Sequence, residues 1–396
     1  MSDPVLRIAA KGDGVTAQGR HVAFGVPGDV VEAGGSLTRG AHHVEPPCRH
    51  FPQCGGCHLQ HADEAALVQF VTERVVHAAE SQGLAIGELL PTHLSPPRSR
   101  RRATLHGLRT AQGAVLGFRE SGSHRVVDMR ECHVLRSELF GLVEPLRGLI
   151  ARWGGKGPVD VGLTLCDQGV DCLIRGLAVE GLEASEALPA FAQAHGIARL
   201  AVDQGYGAEM MWEPEPATVT LAGVPVALPP GAFLQATVDG ESMLTGDTSN
   251  ALQGSRIIAD LFSGLGTFAF GLAGDAKVLA AEAARDAHLA CNAAAKASHR
   301  PVHALHRDLF RNPLQPAELD RFDAVLLDPP RAGAREQVAA IAASSLARVA
   351  YVSCNPSSWA RDAKLLADAG FRLAQVRPVG QFRWSTHVEL TSLFLR

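Results

Sequence analysis

From residue 256 to residue 396, short apolar runs alternate with alanine-rich stretches of helical length, and few folds accommodate that alternation. Candidate strands fall at 256–262, 277–282, 302–306, 322–327, 347–353, 371–376 and 388–395. Strands that are apolar throughout, rather than at every second residue, are those of a parallel sheet covered on both faces. The prediction is therefore an α/β fold, with a doubly wound, Rossmann-like sheet over 236–396. The last two candidate strands have no helix between them and are expected to end the sheet as a hairpin.

Ahead of this region the pattern changes. Residues 1–46 mix short alternating runs with glycine turns, as at Gly12-Asp13-Gly14-Val15 and Gly28-Asp29-Val30-Val31, and read as a small β unit. Residues 47–94 hold a cysteine-rich loop and then a helix through Leu67, Phe70, Val71, Val75 and Val76. Residues 95–235 read as a β-rich central domain with helices near 137–152 and 183–195.

No apolar run approaches the ~18–20 residues that cross a bilayer, and Met1-Ser2-Asp3-Pro4 lacks the basic and apolar regions of a signal peptide. A cytoplasmic, monomeric protein is expected. The net charge of −4 argues against a surface that binds nucleic acid everywhere. Charge is nevertheless concentrated: between Arg98 and Arg136 nine Arg face only Glu120, Asp128 and Glu131, an excess of six. Arg grips phosphates and stacks on bases, so this segment is expected to face an RNA backbone, with a solvated charged turn as the alternative.

Three motifs bear on chemistry. Asp260-Leu261-Phe262-Ser263-Gly264-Leu265-Gly266-Thr267-Phe268 follows the first strand of the sheet, and its glycines let backbone amides approach a ligand at a helix start. Glu282 ends the second strand, where an acid can accept ribose hydroxyls. Asp308 follows the third and is placed to meet an adenine edge. Dinucleotide oxidoreduction stays open at this point. Asp328-Pro329-Pro330-Arg331 then makes a stiff loop over the same crevice. The Arg after Pro-Pro disfavours transfer to an exocyclic amine, for which an aromatic residue is usual there.

Ser353-Cys354-Asn355-Pro356 lies at the carboxyl end of the fifth strand, where open α/β sheets place ligands. The helix that follows is expected to lower the Cys354 pKa below ~8.5. Glu389, in the otherwise apolar last strand, is costly without a partner or a task. A thiol and a carboxylate at one sheet edge suit addition to carbon 6 of uracil and proton removal from carbon 5. His387 reads equally as an orienting group for Glu389 or a packing residue.

Cys48, Cys54, Cys57 and the distant Cys132 form a possible four-thiolate site, for zinc or for an iron-sulfur cluster. Spacing alone favours neither decisively, with zinc the commoner choice. Cys166, Cys172 and Cys291 stand apart and read as packing residues.

Taken in order, Gly231-Ala232-Phe233-Leu234-Gln235, the Asp260–Phe268 motif, Asp328-Pro329-Pro330-Arg331, Ser353-Cys354-Asn355-Pro356 and His387-Val388-Glu389 resemble the RNA uridine C5-methyltransferases that act on 23S rRNA and tRNA. The resemblance covers nearly the whole chain. It implies S-adenosylmethionine as cofactor, Cys354 as nucleophile and Glu389 as base. It carries cofactor contacts onto Gln235, Phe262, Thr267, Glu282, Asp308 and Asp328. Ser263 stands where a Cys is commonest, and Thr267 where Asn is frequent. The cysteine spacing is similar to that of the rRNA branch, which implies a 4Fe-4S cluster on Cys48, Cys54, Cys57 and Cys132. Residues 1–46 look like a shortened TRAM domain. A tRNA enzyme and a non-catalytic RNA-binding assembly factor are the alternatives, and intact Cys354 and Glu389 speak against the second.

Overall fold

A computed structural model describes residues 2–396. The chain divides into two compact units. The first comprises residues up to Phe70, then Ser95–Ala217 and Phe382–Thr386; the second comprises Val71–Leu94, Thr218–Gln381 and His387–Arg396. The sequence reading put a boundary at 235/236 and left 71–94 in the N-terminal half. The structure instead gives 71–94 and 218–235 to the unit that carries the parallel sheet.

In the first unit, β1 (Asp3–Ile8), β2 (Gly14–Thr16), β3 (His21–Val22), β4 (Val30–Val31) and β5 (Leu37–Thr38) form a sheet in the order β3-β2-β1-β4-β5. Its outer strands β3 and β5 do not pair among the described residues, so this small unit is open rather than a closed barrel. The helix α1 (Glu64–Ser81) follows, then β6 (Glu88–Leu89) and β7 (His93–Leu94), which belong to the second unit.

The central part of the first unit contains β8 (Arg102–Thr110), β9 (Gly113–Gly117), α2 (Ser137–Gly141), α3 (Val143–Trp153), β10 (Val159–Cys166), β11 (Gly169–Arg175), α4 (Gly181–Ala194), β12 (Ile197–Asp203) and β13 (Ala208–Trp212). These strands lie in the order β13-β12-β11-β10-β8-β9. The core-facing positions Leu105, Val161, Leu163 and Ile174 pack with Leu146 and Ile150 of α3 and Leu188 of α4, all essentially inaccessible. Cys172 lies in the same core, and Cys166 is also buried.

The second unit continues with the hairpin β14 (Thr218–Leu221) and β15 (Val224–Ala227), then α5 (Val238–Ala251), capped by Thr237, whose Oγ1 accepts the Gly240 amide at 3.1 Å. There follow β16 (Ile257–Leu261), α6 (Ala269–Leu272), β17 (Lys277–Glu282), α7 (Arg285–Ser298), β18 (Val302–His306), α8 (Pro316–Leu319), β19 (Ala324–Leu327), α9 (Arg335–Ala342), β20 (Arg348–Ser353), α10 (Pro356–Asp368), β21 (Arg372–Gly380) and β22 (Glu389–Leu395). The sheet order is β18-β17-β16-β19-β20-β22-β21-β6, with β7 also on β21. The fold is Rossmann-like, with its topological switch between β16 and β19. Every residue of β19 is buried, as both-face coverage demands. The closing hairpin forms as expected, but β22 inserts antiparallel between β20 and β21. No described helix is long and apolar enough to cross a membrane.

Candidate active site

Strand direction assembles the site. β16, β17, β18, β19 and β20 run parallel, so the residues just after them share one carboxyl edge. β22 runs the other way, and its register with β20 pairs Ser353 with Leu390. The next residue of one strand and the preceding residue of the other are Cys354 and Glu389, which the antiparallel register therefore sets side by side. Across the other flank Val379 pairs with Glu389, so Gln381 emerges at the same edge.

Gln381 is 2% exposed and was not foreseen from the sequence. Its side-chain carbonyl accepts the Ala236 and Thr237 amides at 2.9 and 3.4 Å. Its amide nitrogen donates to the Glu389 carboxylate and, at 2.8 Å, to the Gln235 side-chain carbonyl. Gln235 in turn donates to Asp328 at 3.5 Å. One buried network thus joins Gln235, Asp328, Gln381 and Glu389. A neutral amide has no charge pattern to betray it, and β21 before it already carries Arg372, Gln375 and Arg377, so one more polar residue gave no signal.

Asn355 caps α10 by accepting the Ser357 amide at 3.1 Å, and Pro356 occupies the first turn, where its missing N–H costs nothing. Asn355 and Ser358 both donate to the Arg331 carbonyl at 2.9 Å, which ties the Cys354 turn to the Pro-Pro loop. His387 meets Arg331 at 2.7 Å. The expectation of a lowered thiol pKa is overturned. Burial pushes Cys354 up to about 11, the Glu389 and Asp328 charges add to the rise, and Arg331 offsets only part of it. Asp328 is itself raised well above the carboxylate range by burial and by Glu389. Asp260, wholly buried, is pushed up to about 7, chiefly by burial.

On the cofactor side, Glu282 accepts the Gly264 amide at 2.9 Å and the Ala284 amide at 2.6 Å. That fixes the glycine turn beside an acid. Phe262 holds a left-handed backbone (φ 66°), and its ring meets Phe310 at 5.3 Å. Asp308 braces the Phe310 turn by accepting its amide at 3.0 Å. Gly266 also has positive φ, and a Cβ there would lie 2.8 Å from the Phe270 ring. Thr267 is half-buried just before α6. A half-exposed aromatic pair between two strand-end acids fits an adenosine moiety.

In the first unit, Cys48, Cys54, Cys57 and Cys132 line one cavity together with Phe118, Met129 and other residues. Burial raises all four thiols, Cys57 to about 12, and neighbouring cysteines of the set add to the rise at Cys48, Cys54 and Cys57. Among the described residues no three such side chains gather as a single metal ion requires. Zinc would draw its sulfurs to ~2.3 Å from one point.

The Arg-rich segment does not present one open basic face. Arg101 is 7% exposed, because it precedes β8 on the core-facing side of the alternation. The Arg100 guanidinium sits 5.8 Å from the Phe118 ring and 5.2 Å from the Phe382 ring. Arg125, Arg130 and Arg136 pair with Glu120, Asp128 and Glu138.

Comparison with known proteins agrees with this geometry. Residues 230–396 match the family model described as tRNA (Uracil-5-)-methyltransferase. The chain is 49% identical over 393 residues, 99% of each chain, to an uncharacterised RNA methyltransferase of Zymomonas mobilis. It is 32% identical to the 23S rRNA (uracil(1939)-C(5))-methyltransferase of Pectobacterium atrosepticum, over 91% of this chain and 82% of that one. Its fold is similar to that of the Pyrococcus abyssi tRNA (uracil-54, C5)-methyltransferase in complex with S-adenosyl-L-homocysteine, with a TM-score of 0.76 and 22% identity over the full length of both.

Proposed function

Since the chain belongs to the RNA uridine C5-methyltransferase family, we propose that it methylates carbon 5 of a uridine in 23S rRNA, with Cys354 as nucleophile and Glu389 as base. The chain is an S-adenosylmethionine-dependent RNA (uracil-5-)-methyltransferase. The observation that carries this reading is the Ser353–Leu390 register, which sets the thiol of Cys354 and the carboxylate of Glu389 on neighbouring strand ends. In favour of rRNA stands the 32% identity to an enzyme named for 23S rRNA.

S-adenosylmethionine supplies an electrophilic methyl group; Gln235, Phe262, Thr267, Glu282, Asp308 and Asp328 are the residues that would hold it. Cys354 Sγ adds to carbon 6 of the uracil, which makes carbon 5 nucleophilic. Once carbon 5 carries the methyl group, Glu389 accepts its proton, Sγ leaves and the ring is restored. Arg331 is the cationic side chain that eases loss of the thiol proton. Gln381 keeps the Glu389 carboxylate aimed at carbon 5.

The four cysteines of the first unit hold a 4Fe-4S cluster in this reading. The support is their shared cavity and a spacing similar to that of the rRNA branch of the family. Methyl transfer moves no net electrons, so the cluster is structural and ties the loop at 48–57 to Cys132.

The test is methyl transfer from labelled cofactor to 23S rRNA and to tRNA, both lacking 5-methyluridine, followed by mapping of the product. Label at one uridine of 23S rRNA is the expected result. Label in tRNA alone moves the substrate to tRNA, and label on another base overturns the reaction.

A further inference from the structure

The opposite edge of the same sheet carries an open groove of about 750 Å³ in which Arg256, Arg348, Arg372 and Arg396 converge. Topology puts them there. Arg256, Arg348 and Arg372 stand at the amino ends of β16, β20 and β21, while antiparallel β22 brings its carboxyl end and Arg396 to the same side. Leu395 pairs with Arg348 on one flank and Arg372 on the other, which sets those two about 10 Å apart. Lys277 starts β17 and Arg321 precedes β19 on the same edge, there accompanied by Asp275, Asp320 and Asp323.

None of the four groove arginines pairs with a carboxylate among the described residues. Two of them are anchored. Arg348 donates to the Gln253 carbonyl at 2.6 Å, and Arg396 donates to backbone carbonyls that include Leu346 and lies 4.4 Å over the Phe371 ring. Arg256 and Arg372 are exposed. The groove's acid, Asp323, is taken up by the amides of Arg256 and Ile257 at 2.7 and 3.0 Å. In a chain of net charge −4, four guanidinium groups gathered on one sheet edge without a carboxylate partner make a local positive potential that attracts an anion.

We infer that this groove binds the phosphate backbone of RNA, as a second docking surface roughly 15 Å or more along the strands from the reacting uridine. The inference rests on RNA being the substrate, not on which uridine reacts. Arg256 and Arg372 supply the phosphate contacts, and Arg348 and Arg396 form the charged floor. Such contacts position the nucleic acid without reading its bases.

The test is direct binding of full-length protein to 23S rRNA and to poly(A) across a range of KCl concentrations. Charge reversal in an Arg256→Glu/Arg372→Glu double variant is expected to weaken both complexes about 10-fold or more at low salt. It also lowers the salt slope, by ~0.7–0.9 per lost contact. Affinity for S-adenosylhomocysteine stays at the parent value. The charge-neutral Arg256→Gln/Arg372→Gln variant lowers the slope in the same direction. Parent affinity and slope in both variants would overturn the inference. So would a lowered thermal midpoint with RNA binding intact, since the cations then serve the helix carboxyl ends at that edge. Binding is read apart from turnover, so a parent protein that binds RNA but fails to methylate uridine sinks the proposed reaction and leaves this test standing.

Discussion

The buried amide of Gln381 donates to the carboxylate of Glu389, and its orientation leaves no freedom to do otherwise. Its carbonyl is spent on the Ala236 and Thr237 amides, so its nitrogen is turned toward Glu389 and Gln235. The proposed base is thereby linked to a proposed cofactor contact through one side chain.

Gln381→Ala is therefore expected to slow product release rather than RNA binding. Losing one hydrogen bond to a charged group is worth about 1.5–3 kcal/mol, or roughly 10- to 100-fold in turnover. A purely structural role would lower stability and leave the steps in balance. A positioning role raises the fraction of protein trapped on RNA through Cys354, seen as a slower band on denaturing gels. Unchanged turnover with no such band would remove Gln381 from the account.

The raised thiol pKa of Cys354 has two consequences for pH. Alkylation by iodoacetamide in cofactor-free protein rises steadily with pH up to about 11. The folded pKa also lies above the unfolded value of ~8.5, so the protein binds this proton more tightly when folded. The stability it contributes is complete below ~8.5 and is lost as pH rises through about 11. In Cys354→Ala the alkaline loss of stability is smaller. A thiol that reacts fully at neutral pH in the absence of cofactor contradicts this electrostatic picture.

Anaerobically purified protein is expected to contain iron and acid-labile sulfide in equal amounts, bound by Cys48, Cys54, Cys57 and Cys132. Cys132→Ser lowers both and reduces thermal stability. Stoichiometric zinc without sulfide would replace the cluster by a single ion, and four free thiols without metal would remove the site.

Arg100 tests the corrected view of the basic segment. Its guanidinium lies near two aromatic rings, with its Nε donating to the Arg102 carbonyl at 3.0 Å. Arg100→Ala is expected to cost about 1–3 kcal/mol of stability, read by chemical denaturation. A variant of parent stability that only weakens RNA binding would restore the segment as an RNA-facing surface.

Much of the second unit was legible in advance. The strands at 277–282 and 302–306 fall where the sequence put them, the first with a largely apolar, part-buried run and the second as an edge strand with no fully buried residue. The insertion of β22 between β20 and β21 was not legible, since either order satisfies the same apolar pattern and only register decides. β6 and β7 are two residues each, too short to leave a period. Cys354 and Glu389 stood out because a thiol and an acid are conspicuous at strand ends. Gln381 did not, although it organises the same site. The thiol pKa was misjudged because the helix terminus was weighed without burial and the Glu389 and Asp328 charges. The Arg segment misled for a related reason: composition counts charges but does not show which of them the fold turns inward.

The most direct measurement of the central claim uses Glu389→Gln with labelled cofactor and RNA lacking 5-methyluridine. Addition of Cys354 and methylation precede removal of the proton, so this variant is expected to accumulate a methylated protein–RNA complex that survives denaturation. Peptide mapping places the linkage at Cys354, and the complex is absent from Cys354→Ala/Glu389→Gln. Free turnover by Glu389→Gln without any trapped complex would contradict the assignment of Cys354 as nucleophile and Glu389 as base.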